Sequence, residues 1–269
     1  MVVSYLIVFI LGLSVGSFLN CLIYRLETNQ EFVFGRSSCP LCRQSLSWKD
    51  LIPILSFVFL RGRCRYCQKP ISLQYPLVEL ATWILFTIVF WNFALESNLW
   101  LRLLYYLVIS SFLIAIFVFD LKHYLIPDEI IYPAIFISVI WYFGFHLAPF
   151  YTRQTITNSR YDVFNEPLTA FLAAFLFFAI YLFSRGKGMG FGDIKLAFFM
   201  GFFLGFPRIL VAIFLAFFSG ALMGIILMIF KKKTLKSELP FAPFLVSGTF
   251  LALFFGQQII SCYLNFLLF

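Results

Sequence analysis

The sequence predicts an all-α polytopic membrane protein of about eight transmembrane helices that carries one small polar loop subdomain. Three observations lead to this fold class. The 269 residues are 62% hydrophobic and only 12% charged, with a mean hydropathy of +0.95, whereas a soluble domain is about half apolar and about a quarter charged. The apolar residues gather into runs of which most reach the roughly 20 residues that a spanning helix needs. The basic residues sort to one side of those runs. The 39 Phe residues fit lipid-facing and interhelical packing.

The first run is Val2–Tyr24, and its first basic neighbour, Arg25, follows it. A cleaved signal peptide carries its positive charge before the apolar stretch, and Ser17-Phe18-Leu19-Asn20-Cys21 does not resemble a lipoprotein cleavage site. The expectation is an uncleaved first helix over residues 1–24 with its N-terminus outside. Residues 25–75 form the one sizeable polar segment. Further apolar runs lie at about 77–95, 100–119, 126–147, 166–184, 194–206, 208–230 and 241–268, within a membrane region spanning 76–269. The run at 194–206 is short, and Gly205-Phe206-Pro207-Arg208 divides it from the next.

The positive-inside rule orients this set. With the 25–75 loop in the cytoplasm, 16 of the 20 Lys and Arg residues fall on the cytoplasmic face, and only Arg102, Arg153, Arg160 and Arg208 fall outside. The formal charge of +8 is therefore topological, and nucleic acid is not an expected partner. The lipid bilayer is. The region 148–165 reads as a solvated outer loop, and Lys231-Lys232-Lys233 as a stop signal at a helix end.

The polar loop carries Cys39-Pro40-Leu41-Cys42 and Cys64-Arg65-Tyr66-Cys67, two C-x2-C knuckles 21 residues apart. Four thiolates so arranged suit tetrahedral zinc, and the alternative is a pair of disulfides. Disulfides are rare in the reducing cytoplasm, so the loop is predicted to be a small cytoplasmic zinc-binding subdomain. Between the knuckles, Leu51–Leu60 is apolar but too short to span; it lies against the membrane or packs within the loop. Cys21 and Cys262 fall in apolar runs and read as packing residues.

Two acids stand out because an ionisable group at a membrane boundary is costly. Asp120 ends the third apolar run. Asp193 follows Gly190-Phe191-Gly192 at the start of the sixth, 73 positions later. The topology puts both at the same depth on the cytoplasmic face. If helix packing brings them together, the two carboxylates share a proton. One then serves as general base on a water while the other polarises a peptide carbonyl. The plainer reading of Asp193 is a helix cap. The flanking glycines leave bare backbone, which allows a close approach, a positive φ, or pairing with an extended peptide. Asp128, after Pro127, is explained by capping the next helix, Glu129 by the helix dipole, and His123 as an interfacial residue.

Asp120, Ile126-Pro127-Asp128 and Gly190-Phe191-Gly192-Asp193-Ile194-Lys195-Leu196 together resemble the bacterial type IV prepilin peptidases, membrane aspartic proteases of the GxGD class. The resemblance extends over nearly the whole chain. Gly16-Ser17-Phe18-Leu19-Asn20 with Tyr24-Arg25-Leu26 is similar to the family's first helix, Tyr75-Pro76-Leu77-Val78-Glu79-Leu80 to the start of its second, and Pro240-Phe241-Ala242-Pro243-Phe244 to its late proline-flanked segment. The resemblance implies Asp120 and Asp193 as the catalytic pair in a bacterial inner-membrane enzyme. It also implies prepilins and pseudopilins as substrates, cut after a glycine on the cytoplasmic face. Many members then methylate the new N-terminal amine from S-adenosylmethionine, and the tetracysteine loop resembles that of members with both activities. No Rossmann-type G-x-G turn follows a strand here. Gly62 and Glu79 are the candidates for contact with the methyl donor; their plainer readings are a turn residue and a partner for a loop arginine. Lys122, where many relatives carry acidic or polar residues, is a departure that favours ionised carboxylates.

Two other readings stay open at this point. One is a peptidase whose zinc loop is purely structural. The other is a non-enzymatic membrane assembly factor or transporter, although a transporter's polar groups would cluster near mid-membrane.

Overall fold

The computed structural model describes residues 2–28, 37–93, 100–146, 165–186, 188–230 and 239–267. The expected outer loop at 148–165 (apart from Asn165), Lys187 and Lys231-Lys232-Lys233 lie outside the described residues. Among the described residues the chain is mainly helical outside the loop between its first two long helices, and it forms no strand, only isolated bridges at Ser38–Ser45 and Arg63–Pro70 within that loop. In order, the helices among the described residues are α1 (Val2–Glu27), α2 (Leu55–Phe59), α3 (Gln74–Phe93), α4 (Trp100–His123), α5 (Asp128–His146), α6 (Asn165–Phe183), α7 (Phe191–Leu204), α8 (Arg208–Ile229) and α9 (Ala242–Leu267), and a 3-10 turn lies at Trp48–Asp50.

All eight apolar runs form helices. Six of them (α1, α3, α4, α6, α8 and α9) are long and apolar enough to cross a membrane. The eight-helix expectation is therefore approximate. At 14 residues, α7 is about 21 Å long, short of a bilayer core of about 30 Å.

The chain divides into two compact units, Met1–Val118 and Phe119–Phe269. In the first, α1 packs on α3 through small residues. Cβ atoms added at Gly12 and Gly16 would lie 2.7 Å from Trp83 Cα and 2.6 Å from Glu79 Cα. Glycines four apart share a helix face and let backbones touch, the device that membrane helices use without a hydrophobic drive. Aromatic edges fill the flanks, Tyr5 against Phe90 and Phe9 against Trp83. At the loop end, Asn20 Nδ2 donates to the Tyr75 carbonyl at 3.0 Å. Pro76 falls in the first turn of α3, where a missing N–H costs nothing.

In the second unit α7 is the central element. It buries residues on every side, including Leu196, Ala197, Phe199 and Met200, as a helix that is apolar all round must. Gly201 permits this: a Cβ there would sit 2.3 Å from Ala170 Cα of α6. Gly248 does the same for α9, where a Cβ would meet the Ala212 carbonyl oxygen of α8 at 2.4 Å. Outward-facing phenylalanines such as Phe171, Phe175, Phe214 and Phe218 are exposed, consistent with lipid contact.

Candidate active site and metal centre

Asp120 and Asp193 both belong to the second unit and both are buried. Asp120 lies in the last turn of α4. Its Oδ2 accepts a hydrogen bond from the Ala242 backbone N–H at 3.2 Å. Ala242 opens α9, and the first N–H groups of a helix have no partner inside it, so the carboxylate supplies one. Asp193 lies in the first turn of α7. Its Oδ2 accepts from the Gly190 N–H at 3.1 Å, and its own N–H donates to the Gly190 carbonyl at 3.2 Å. The plainer reading makes Asp193 the N-cap, but Gly190 holds that position and Asp193, three residues on, reaches back to the Gly190 N–H. It is also within electrostatic reach of Asp120. The pair joins two carboxylates, each held by a backbone N–H at a helix N-terminus, where negative charge is favoured.

Of the roles expected for the glycines beside Asp193, close approach is the one that the structure shows. Gly190 has φ −75°, so no positive φ is used there. Its N–H and carbonyl are already engaged by Asp193, which leaves little for strand pairing. What Gly190 provides is room, since a Cβ would meet only Asp193 Oδ2 at 3.6 Å and the Gly192 nitrogen at 4.0 Å. Gly192 is filled from within the chain, with Ile126 Cβ 3.0 Å from where its own Cβ would be.

Asp128 is accounted for by a different contact. Its Oδ1 pairs with Lys195 Nζ at 2.5 Å, and that ammonium lies 4.8 Å over the Tyr132 ring and 5.4 Å over Phe191. Because α5 begins at Asp128 itself, the acid is a first-turn residue, as is Glu129. The pair ties the start of α5 to the second turn of α7. His123 ends α4 with its ring against Phe119.

The four cysteines of the first unit come together. Cys39, Cys42, Cys64 and Cys67 place their sulfurs within 4.8 Å of one another, with no disulfide formed. Zinc–sulfur bonds of about 2.3 Å put tetrahedral sulfurs a little under 4 Å apart; Cys39 and Cys67 are 4.0 Å apart. The knuckles are built alike. The Arg43 and Gln68 N–H groups donate to the Cys39 and Cys64 carbonyls, at 2.8 and 3.0 Å, and Arg43 and Gln68 both take positive φ. Burial would raise the Cys39 thiol, but the Cys42 and Leu41 amides and the Cys42 and Cys64 thiols bring it down to about 7. The Lys69 amide would lower Cys67, but desolvation and the other three thiols push it up to about 11. Crowded thiols cannot all ionise without a cation, and the four could hold a metal ion such as zinc. Sequence reasoning missed Asp50, which joins the segment between the knuckles to the second knuckle. Its carboxylate accepts from the Ser47 hydroxyl at 2.7 Å and from Arg65 Nε at 2.6 Å. Burial would raise Asp50, yet these donors hold it below the usual carboxylate range.

Two family models match the chain. Residues 10–93 match the bacterial peptidase A24 N-terminal domain and residues 107–225 the type IV leader peptidase family. A prepilin leader peptidase/N-methyltransferase of Bacillus subtilis is 36% identical over 259 residues, covering 96% of this chain and 97% of its own length. The chain belongs to the type IV leader peptidase family. Proteins of the same name from Legionella pneumophila and Aeromonas hydrophila are 30% and 32% identical, each covering 97% of this chain and 95% and 94% of their own lengths. No solved structure matches. With its six candidate spans, this family member is a multi-pass protein of the inner membrane.

Gly62 and Glu79 flank one small element of the first unit. Gly62, at φ +68°, takes the turn after α2, its N–H donating to the Phe57 carbonyl at 2.8 Å. The buried Glu79 Oε2 accepts from the Ile54 N–H at 2.7 Å, whereas its plainer reading is a partner for a loop arginine. Ala242, Lys195 and Ile54 are the supporting residues that sequence reasoning passed over. The first two stand inside quoted motifs, but nothing local marks them as partners of Asp120 and Asp128.

Proposed function

We propose that this chain cuts the leader from type IV prepilins and pseudopilins with Asp120 and Asp193 as its catalytic pair. The observation that carries this is the burial of the two acids at helix ends of one compact unit, within electrostatic reach across 73 positions of sequence. A soluble or structural role gives no reason to desolvate two carboxylates together. One carboxylate takes the proton of a water as its oxygen attacks the scissile carbonyl carbon. The other, protonated, donates to the carbonyl oxygen, and collapse of the tetrahedral intermediate passes a proton to the leaving amine. The open side of Gly190 admits the extended peptide beside Asp193. On this reading the active site faces the cytoplasm, the N-terminus is outside, and the prepilin stem lies in the membrane beside the helices.

The tetracysteine loop holds structural zinc. Methylation of the new N-terminus from S-adenosylmethionine is supported by the names of the relatives. Glu79 and Gly62 bracket α2 and are the loop residues to test for it. Yet the Glu79 carboxylate is bonded to Ile54, and a Cβ on Gly62 would meet the Phe57 ring at 3.1 Å. Neither presents an open cradle, so no transfer step is assigned to them.

The test is cleavage of a purified prepilin in detergent by the native chain and by Asp120→Asn and Asp193→Asn. Product masses are read with and without S-adenosylmethionine. Native chain should yield the shortened pilin, heavier by one methyl when the donor is present. Cutting by either Asn variant at the native rate would overturn the aspartic mechanism. An unshifted mass would leave a peptidase with a purely structural loop.

A further inference from the structure

We propose that the segment between the two cysteine knuckles is an interfacial anchor. Its outer apolar face inserts into the headgroup region of the membrane that α1 and α3 cross, and the surrounding basic residues rest on anionic lipid. The inference rests on the membrane architecture and is independent of the peptidase chemistry.

The short helix α2 has two different faces. Phe57 turns inward against Gly62. Leu55, Val58 and Phe59, spaced i, i+3 and i+4, share the outer face and are 54%, 63% and 81% exposed. Just before it, Trp48 is 71% exposed, with Lys49 Nζ 5.6 Å over its ring. Apolar residues clustered in this way on a polar loop mark a contact surface.

The tether decides what that surface meets. Ile54 opens α2, and its N–H donates to Glu79 Oε2 at 2.7 Å. Glu79 is five positions after Gln74, the first residue of α3, and so about 7.5 Å along a helix that is a candidate span. The outer face of α2 is thereby held at the depth where α3 leaves the bilayer. Charge points the same way. Residues 37–73 contain Arg43, Lys49, Arg61, Arg63, Arg65 and Lys69 against the single acid Asp50, which already pairs with Arg65. A Trp, an apolar face and a basic surround are what an interfacial segment on anionic lipid requires.

The experiment places the photoreactive residue p-benzoylphenylalanine at Phe59, at Val58 or, as reference, at Leu41. Leu41 is 54% exposed but belongs to the first knuckle. The full chain is reconstituted in vesicles of phosphatidylethanolamine and phosphatidylglycerol, its zinc content confirming an intact loop, and is irradiated and weighed. The expected result is a mass increase of one phospholipid at positions 58 and 59, well above that at position 41, and smaller in vesicles without phosphatidylglycerol. Crosslinking of position 59 to a second copy or to another part of the chain would overturn the proposal. So would equal lipid labelling at position 41, or no lipid labelling at position 59. Labelling that ignores phosphatidylglycerol would overturn the electrostatic part.

Discussion

The backbone N–H of Ala242 donates to Asp120 Oδ2 at 3.2 Å, across 122 positions of sequence. The late proline-flanked segment thereby acquires a job. It starts α9 so that a helix N-terminus meets a buried carboxylate. Asp193 receives the corresponding support from Gly190 in its own first turn. The two acids are held by one long-range contact and one local one.

Replacing either acid with Asn keeps side-chain volume but removes the ability to exchange a proton. Cleavage should fall by about 10²- to 10⁴-fold in Asp120→Asn and in Asp193→Asn. The double variant should be little worse than either single one, because the pair acts as a unit. Initial rates on a purified prepilin measure this. Multiplied losses in the double variant would argue against a shared mechanism.

Asp128→Asn should leave cleavage near the native rate. The Asp128 side chain is 55% exposed, so losing its pair with Lys195 should cost less than about 1 kcal/mol. Thermal unfolding in detergent alongside the same cleavage assay gives both numbers. A loss as deep as that of the Asp193 variant would place Asp128 in the catalytic machinery.

Gly201→Ala tests the α6–α7 crossing. In an open helix this change is worth up to about 1 kcal/mol of added stability. Here the new Cβ would sit 2.3 Å from Ala170 Cα, and backbone cannot step aside as a side-chain end can. The expected outcome is destabilisation of about 1–3 kcal/mol with reduced cleavage, since α7 carries Asp193. Unchanged unfolding temperature would show that the helices do not pack so closely.

Metal analysis should find one zinc per chain, and Cys64→Ser should lose it. Structural zinc supplies on the order of 10 kcal/mol to small sites. Chelation should therefore open the loop to trypsin at its exposed arginines, Arg61 and Arg63, while bands from the helical remainder persist. Unchanged tryptic resistance after complete zinc removal would show that the metal does not hold the loop.

The helices, the cysteine knuckles and the two acids were legible in the amino-acid order because each is a local pattern. Apolar runs announce spans, C-x2-C announces a metal knuckle, and an acid at a membrane boundary is conspicuous by its cost. What was misread followed from treating neighbours in sequence as the environment. Gly190 was expected to offer backbone to a substrate, but Asp193, three residues on, already takes its N–H. Asp128 was read as a cap, and its partner, Lys195, comes from another helix 67 positions away. The plainer reading of Glu79 pairs it with a loop arginine, whereas its carboxylate accepts from the Ile54 amide.

The sequence by itself determined that this is a multi-helix membrane protein, which residues are its chemical groups, and that four cysteines could gather on one metal. Tertiary structure alone decided which of those groups meet. A membrane helix buries apolar surface almost equally well in many rotations, because lipid and protein interiors are similarly apolar. Rotation is settled by close contacts of small residues, such as Gly16 on Glu79 and Gly201 on Ala170. Those crossings depend on which helices become neighbours, and this no periodicity in the chain records.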